Sequence, residues 1–306
     1  MTFPALADSL RLERLALPGK GARVVVDTDT NNEIDDQFAL VHALLSPEIR
    51  IEAVYAAPFA NARAATPEHG MEQSFEEIMR VYKHMKLPQL PPVHKGSCAY
   101  LNALDSPEAS PVTDHLIETA FASDEPLYVL GIGAITNVAN ALLLEPKLVE
   151  RIVLVWLGGH AHHYPHTWEF NLQQDMLASK LVFDCGVPLV QLPCRGVVDV
   201  LHTTVPEMER YVKGRGAVGD YLYKIYTEHV KDHFAWSKEL WDTATLAYVL
   251  NSDWLESDLR HSPILNENKT YSFDKTRHLT RYVYRLERDP IMRDFFAKLD
   301  GYATNS

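Results

Sequence analysis

Five short runs of almost uninterrupted apolar residues constrain this chain more than any other feature: 24–29 (VVVDTD), 49–57 (IRIEAVYAA), 127–133 (LYVLGIG), 151–159 (RIVLVWLGG) and 188–194 (PLVQLPC). Helix-length stretches lie between them, at 35–46 (DDQFALVHALLS), 74–85 (SFEEIMRVYKHM), 136–144 and 175–184. A strand that is apolar on both sides must be covered on both faces, and alternation with helices supplies that cover. The expected fold is α/β, a mostly parallel central sheet with helices on both faces. Right-handed crossovers then gather the loops after each strand along one edge, where ligands of open α/β sheets bind. Beyond about residue 203 the pattern predicts helices at 206–215, 219–234 and 241–251, polar strands at 264–273 and 277–287, and a last helix at 290–299. These make C-terminal helices and a small antiparallel addition. No Gly/Ser/Pro-rich linker or repeat interrupts the chain, so residues 1–306 are expected to form one domain.

Composition narrows the partners. The chain carries 29 Lys and Arg against 41 Asp and Glu, a net charge of −12, with no basic run. Nucleic acid and anionic membranes are excluded as expected partners, and a neutral or cationic substrate, or one held through a bound metal, is favoured. No apolar run approaches the ~18 residues that span a bilayer. Three separated cysteines (Cys98, Cys185, Cys194) predict neither a disulfide framework nor a CxxC metal site. With no apolar signal segment at the start, a cytoplasmic protein is expected.

The chemistry concentrates at the end of the first strand. Asp27-Thr-Asp29-Thr-Asn-Asn-Glu33-Ile-Asp35-Asp36 places five carboxylates within ten residues. Strand alternation predicts Asp27 and Asp29 on one side, and Asp35 and Asp36 open the next helix, where carboxylates also cap backbone N–H groups. Carboxylates crowded at a sheet edge repel unless a positive charge sits among them. Ligands that are all oxygen favour a hard cation, Ca²⁺ or Mg²⁺.

With these residues the chain resembles the inosine–uridine-preferring nucleoside hydrolase family. The family's opening Asp-x-Asp-x-x-x-Asp-Asp corresponds to Asp27, Asp29, Asp35 and Asp36, with two extra residues inside the loop. Its Leu-Thr-Asn element recurs as Ile135-Thr136-Asn137, its Gly-Gly and Glu-Phe-Asn as Gly158-Gly159 and Glu169-Phe170-Asn171, and its late helix-opening Asp as Asp242. The resemblance implies hydrolysis of the N-glycosidic bond of ribonucleosides to ribose and free base, with Ca²⁺ as cofactor, in a homo-oligomer. It implies Asp29 as general base and metal ligand, with Asp36, Asp242 and the backbone carbonyl of Thr136 as further ligands. Asp35, Glu169 and Asn171 would hold the sugar hydroxyls, and Asp27 would support the loop. The bond breaks through a ribosyl cation, so such a site must activate water and stabilise positive charge.

Several positions depart from the family. Its second strand ends in a sugar-binding Asn, for which Asn61 stands further along the loop here. Six residues before Glu169, the place of another sugar-binding Asn is taken by His163. The histidine-rich HAHHYPH loop (His160, His162, His163, His166) fits no zinc spacing. Trp241 replaces the histidine that serves many members as acid for the leaving base; an indole stacks rather than donates a proton, which leans towards purines. Tyr226, His229, His233 and Trp236 fall in the segment that lines the base pocket of relatives. Two alternatives stand beside this reading. Asp27-Thr-Asp29-Thr also fits the nucleophile motif of Mg²⁺-dependent haloacid-dehalogenase phosphatases, with Asp27 attacking phosphate. A non-catalytic, calcium-dependent nucleoside or ribose binder would keep the sugar ligands and show no turnover.

Overall fold

The computed structural model describes residues 2–305. α1 (Asp8–Arg14), β1 (Ala22–Thr28), α2 (Asp35–Leu44), β2 (Ile49–Ala56), α3 (Pro67–His84), β3 (Val93–Lys95) and α4 (Pro111–Phe121) come first. β4 (Leu127–Gly131), α5 (Thr136–Leu144), β5 (Ile152–Leu157), α6 (Phe170–Gln174), α7 (Met176–Asp184) and β6 (Leu189–Leu192) continue the alternation. The rest comprises β7 (His202–Thr203), α8 (Val205–Tyr211), α9 (Gly216–Glu228), β8 (Lys238–Glu239), α10 (Thr243–Leu250), β9 (Leu255–His261), β10 (Ile264–Leu265), β11 (Tyr271–Ser272), β12 (Leu279–Leu286) and α11 (Arg288–Asn305).

Among the described residues eight strands form one sheet in the order β3-β2-β1-β4-β5-β6-β12-β9. Every neighbouring pair is parallel except β12 with β9. The mostly parallel α/β sheet expected from the apolar runs is therefore the fold. Val24 and Val26 face one core with Phe38 of α2, Ile78 of α3, Leu222 of α9, Tyr248 of α10 and Phe295 of α11. Val25 faces the other with Leu116 of α4, Val138 of α5 and Val182 of α7.

The C-terminal part differs in detail from expectation. Residues 277–287 are not part of a separate addition: β12 joins the main sheet parallel to β6. The stretch at 264–273 is a two-strand hairpin, β10 with β11, rather than one strand. β9, whose sequence LESDLRH is polar, closes the edge of the large sheet.

Chain direction reverses between β1, which leads to β2 on one side, and β4 on the other, so a crevice opens at their C-terminal ends. Two glycines shape it. Gly133, just beyond β4, lies so close to Asp29 that a Cβ would come within 3.0 Å of that side chain's Cβ and Cγ. Gly159, after β5, takes φ +76°, which a side chain rarely adopts, and a Cβ there would also meet Tyr271 and Thr167. No described helix is long and apolar enough to cross a membrane.

Candidate active site

β1 ends at Thr28, so strand alternation does not reach Asp29. Asp27 points to the α5 side, where its Oδ1 accepts from Asn137 Nδ2 (2.7 Å) while its Oδ2 is buried without a partner. Asp29 turns into the crevice instead. The turn that follows places Asn31 at φ 87°, a conformation asparagine tolerates, and returns the chain to open α2. The helix is capped by the backbone of Ile34, which makes no side-chain capping bond, so Asp35 and Asp36 are not N-caps.

Asp242, immediately before α10, reaches the same point. Asp35, Asp36 and Asp242 each offer a carboxylate oxygen within 4.8 Å of the others, and all are buried. Asp29 lines the same cavity, of about 240 Å³, with Asn32, Glu33, Ile132, Leu157, His160, Trp168, Glu169, Phe170, Asn171, Cys194, Arg195 and Trp241. Thr28 Oγ1 donates to Asp36 Oδ1 (2.5 Å) and so aims it.

The electrostatics follow from crowding in a buried site. Burial and then the charges of Asp36 and Asp35 hold Asp29 well above the usual carboxylate range. Asp242 is raised in the same way, by burial and then by Asp35, Asp36 and Asp29. Burial and Asp35 push Asp36 up to about 8, although the Thr28 hydroxyl opposes this. Asp35 rises only to about 6, because the Lys238 ammonium offsets part of its burial. Lys238 itself pairs with Glu33 (2.5 Å). Among the described residues none of Asp29, Asp35, Asp36 and Asp242 has an ion-pair partner.

On the opposite wall Glu169 caps α6. Its Oε1 accepts from the N–H of Asn171, and its Oε2 from those of Gly159 and Leu172, each at 2.9 Å. Asn171 Nδ2 donates to the Leu157 carbonyl (3.0 Å). Burial and then Glu169 and Asp242 hold the Cys194 thiol well above its usual range, so it stands there neutral.

Comparison with known proteins now decides the family. The profile of the inosine-uridine preferring nucleoside hydrolases matches residues 24–281. The chain belongs to that family. It is 26% identical over 275 residues to the pyrimidine-specific ribonucleoside hydrolase RihA of Salmonella agona, covering 78% of this chain and 81% of that one. In fold it is similar to the inosine-uridine preferring nucleoside hydrolase of Bacillus anthracis (TM-score 0.69, 20% identity, 93% of this chain and 100% of that chain). It is similar too to the purine-preferring ribonucleoside hydrolase of Gardnerella vaginalis (TM-score 0.68, 19% identity, 93% and 100%). The protein is thus a nucleoside hydrolase by family, an enzyme that hydrolyses ribonucleosides. The phosphatase alternative is set aside: Asp27, its nucleophile, is fully buried against Asn137 and does not line the cavity.

The nucleoside hydrolase cavity brings together Asp29, Asp35, Asp36, Asp242, Glu169, Asn171 and Trp241. Three other candidates stand outside its lining. Thr136 is buried at the start of α5 and donates its hydroxyl to Asp175 Oδ2 (2.8 Å). Asn61 accepts from Arg63 N (2.7 Å) in its own loop and donates to Asn32 Oδ1 (2.7 Å) of the turn after β1. His163 is exposed, its ring beside Tyr164. His160 lines the wall instead, its Nδ1 accepting from Arg195 N (3.4 Å). His229 stacks on Trp236, and neither lines the cavity. Trp168, Cys194, Arg195 and Lys238 had no role in the sequence reading; the adjacency of Trp168 to Glu-Phe-Asn and of Cys194-Arg195 to a strand end signalled the first three, and no pattern signalled Lys238.

Proposed function

We propose that this nucleoside hydrolase cleaves ribonucleosides with the help of Ca²⁺ and leans towards purines. One observation carries the metal: Asp29, Asp35, Asp36 and Asp242 are buried together, none has an ion-pair partner among the described residues, and Lys238 offsets only part of the burial of Asp35. Each buried anion costs several kcal/mol unless paired, so a bound divalent ion resolves what the fold leaves open. The donors are all oxygen, which suits a hard cation. Asp36, Asp242, Asp35 and Asp29 would hold it, joined by the Thr136 backbone carbonyl. When bound, the ion supplies a positive anchor for ribose hydroxyls and for a water molecule.

The chain's own residues do the rest. Asp29, on the cavity wall, accepts the proton of the attacking water. As the C1′–O bond forms and the C1′–N bond breaks, the buried carboxylates stabilise positive charge on the sugar. Asp35, Glu169 and Asn171 orient the ribose through its hydroxyls, and Asn61 and His163 are proposed to contact the sugar when their loops close over it. A buried polar group left unpaired by a deoxy sugar would penalise that substrate. Asp27 braces the loop from below through Asn137 (2.7 Å). Trp241, half-buried on the cavity wall, offers an indole face to the base, and the larger purine ring gains more from it.

We read the chain as one domain, since the large sheet takes strands from Ala22 to Leu286, and as a cytoplasmic homo-oligomer, its three cysteines being unpaired. The test is release of reducing sugar from a panel of purine and pyrimidine ribonucleosides, with and without chelator. Chelator-sensitive release supports the proposal. Saturable binding without turnover would instead make the protein a nucleoside or ribose binder.

A further inference from the structure

The acid-rich composition points to a neutral or cationic substrate, but one rim of the cavity has the opposite character. Arg195, on the loop after β6, lines the cavity and is exposed. Among the described residues its guanidinium has no hydrogen-bond or ion-pair partner. Glu169, on the same wall, makes no ion pair with it among the described residues; its carboxylate oxygens accept three backbone N–H groups at 2.9 Å. Cys194 beside it carries a neutral thiol.

The rim continues around Trp168. His160 accepts from the Arg195 backbone (3.4 Å), and its ring lies 6.0 Å from that of His166. His166 meets Trp168 edge-on at 6.2 Å, and Lys269 Nζ stands 4.6 Å above the Trp168 ring. Lys269, like Arg195, has no carboxylate partner among the described residues. A protein with 41 acidic residues against 29 basic ones thus leaves two cations uncompensated beside its most acidic cavity.

We infer that the preferred substrate carries a phosphate on the ribose 5′ carbon, held by Arg195 with Lys269 in support at the rim. This rests on the ribosyl-hydrolase reading above. If the hydroxyls on one side of the sugar meet the aspartates and the base meets Trp241, the 5′ carbon is the remaining arm, and the wall of Glu169, Cys194 and Arg195 is the end left for it. The fixed fork of a guanidinium suits phosphate. The reaction is the same hydrolysis. Water adds at C1′, the C1′–N bond breaks, and the phosphate ester stays intact, giving ribose 5-phosphate and free base.

The experiment compares kcat/KM for inosine and uridine with that for their 5′-monophosphates, in the wild type and in R195A and R195K. We expect the monophosphates to be favoured at least ~10-fold, and the monophosphate-to-nucleoside ratio to fall about 10- to 100-fold in R195A, as for loss of a charged hydrogen bond, with partial recovery in R195K. Calorimetric titration of the calcium-loaded wild-type chain with ribose 5-phosphate and with ribose gives a reading independent of turnover, and the phosphate ester should bind at least ~10-fold tighter. Equal binding of the two sugars, a wild-type preference for the nucleosides, or release of inorganic phosphate overturns the inference. Absence of hydrolysis of every substrate, with the tighter binding of the phosphate ester retained, sinks the hydrolase reading and leaves the anion site standing.

Discussion

At the N-terminal end of α2, Asp35 and Asp36 face Asp242 and Asp29, and none of the four has an ion-pair partner among the described residues. At the C-terminal end of the same ten-residue helix, His42 Nε2 donates to Asp294 (2.7 Å), which also pairs with Lys298 (2.7 Å). Both ends place buried titratable groups where the helix dipole favours them, acids first and a base last. Only one end is ion-paired by protein; at the other, Lys238 offsets part of the burial of Asp35 alone. Burial keeps His42 neutral despite Asp294, and His42 and Lys298 together overcome burial to hold Asp294 below its usual range. A fold able to pair charge at one end and leaving it open at the other, in a cavity, has kept that second end for something that binds.

The comparison breaks most sharply at Asp29. Asp29→Asn should lower kcat by ~10²–10⁴, the range for losing a general base, while the metal-free protein melts no lower, because one mutually repelling charge has gone. Retained activity would remove Asp29 as the base. A drop in melting temperature without metal would mean that the acidic end is structurally balanced after all.

Metal removal is the next largest effect, and its pH dependence has opposite signs at the two ends of α2. At the acidic end the folded-state pKa values are raised, to about 6 for Asp35 and about 8 for Asp36. Their contribution favours the metal-free fold at low pH and is lost as pH rises through those values. Calcium at 100 times its Kd should restore about 2.7 kcal/mol, with the gap between calcium-loaded and chelated protein widening from pH 6 to pH 8 in thermal melts. At the other end His42 and Asp294 are lowered, so their contribution is present at neutral pH and is lost on acidification, below ~6.5 for His42 and ~4 for Asp294, whether or not metal is present. Asp294→Asn should then cost about 1.5–3 kcal/mol of stability, the worth of a hydrogen bond to a charged group, and leave kcat unchanged. A loss of kcat there would tie the two ends together through the helix.

How much of this could be read beforehand follows from the same physics. The strands buried on both faces, β1, β2, β4, β5 and β6, announce themselves as apolar runs. β3 has three residues and β9 reads LESDLRH, so the edges of the sheet carry too little apolar signal. β12 shows as a strand, but its parallel partner β6 lies far away in sequence, and no local pattern reports that pairing. In the site, Asp29, Asp35 and Asp36 are legible because one turn holds them, and Asp242 because it precedes a helix. Counting residues back from Glu169 selects His163, whereas the chain doubles back after Gly159, at φ +76°, and brings His160 to the wall. Arg195 is a lone residue on a loop, and its meaning appears only when it is found exposed on the cavity lining with no ion-pair partner among the described residues.

Trp241 gives the smallest and most selective test of the open end. Its backbone N–H bonds the Asp35 carboxylate, which ties it to the first turn of α2, and its side chain packs against the larger core while also lining the cavity. Packing and stacking therefore coexist in one residue, and stability alone does not separate them. Replacing Trp241 with Ala or His keeps the backbone bond to Asp35 and removes the indole face. If that face stacks on the base, the purine-to-pyrimidine ratio of kcat/KM should fall about 2- to 13-fold, the worth of ~0.5–1.5 kcal/mol of aromatic stacking. A Trp241 that only packs would give a lower melting temperature and an equal loss for both base classes. An unchanged ratio thus assigns the indole to the core, and a shifted ratio assigns it to the substrate, whatever the variant costs in stability.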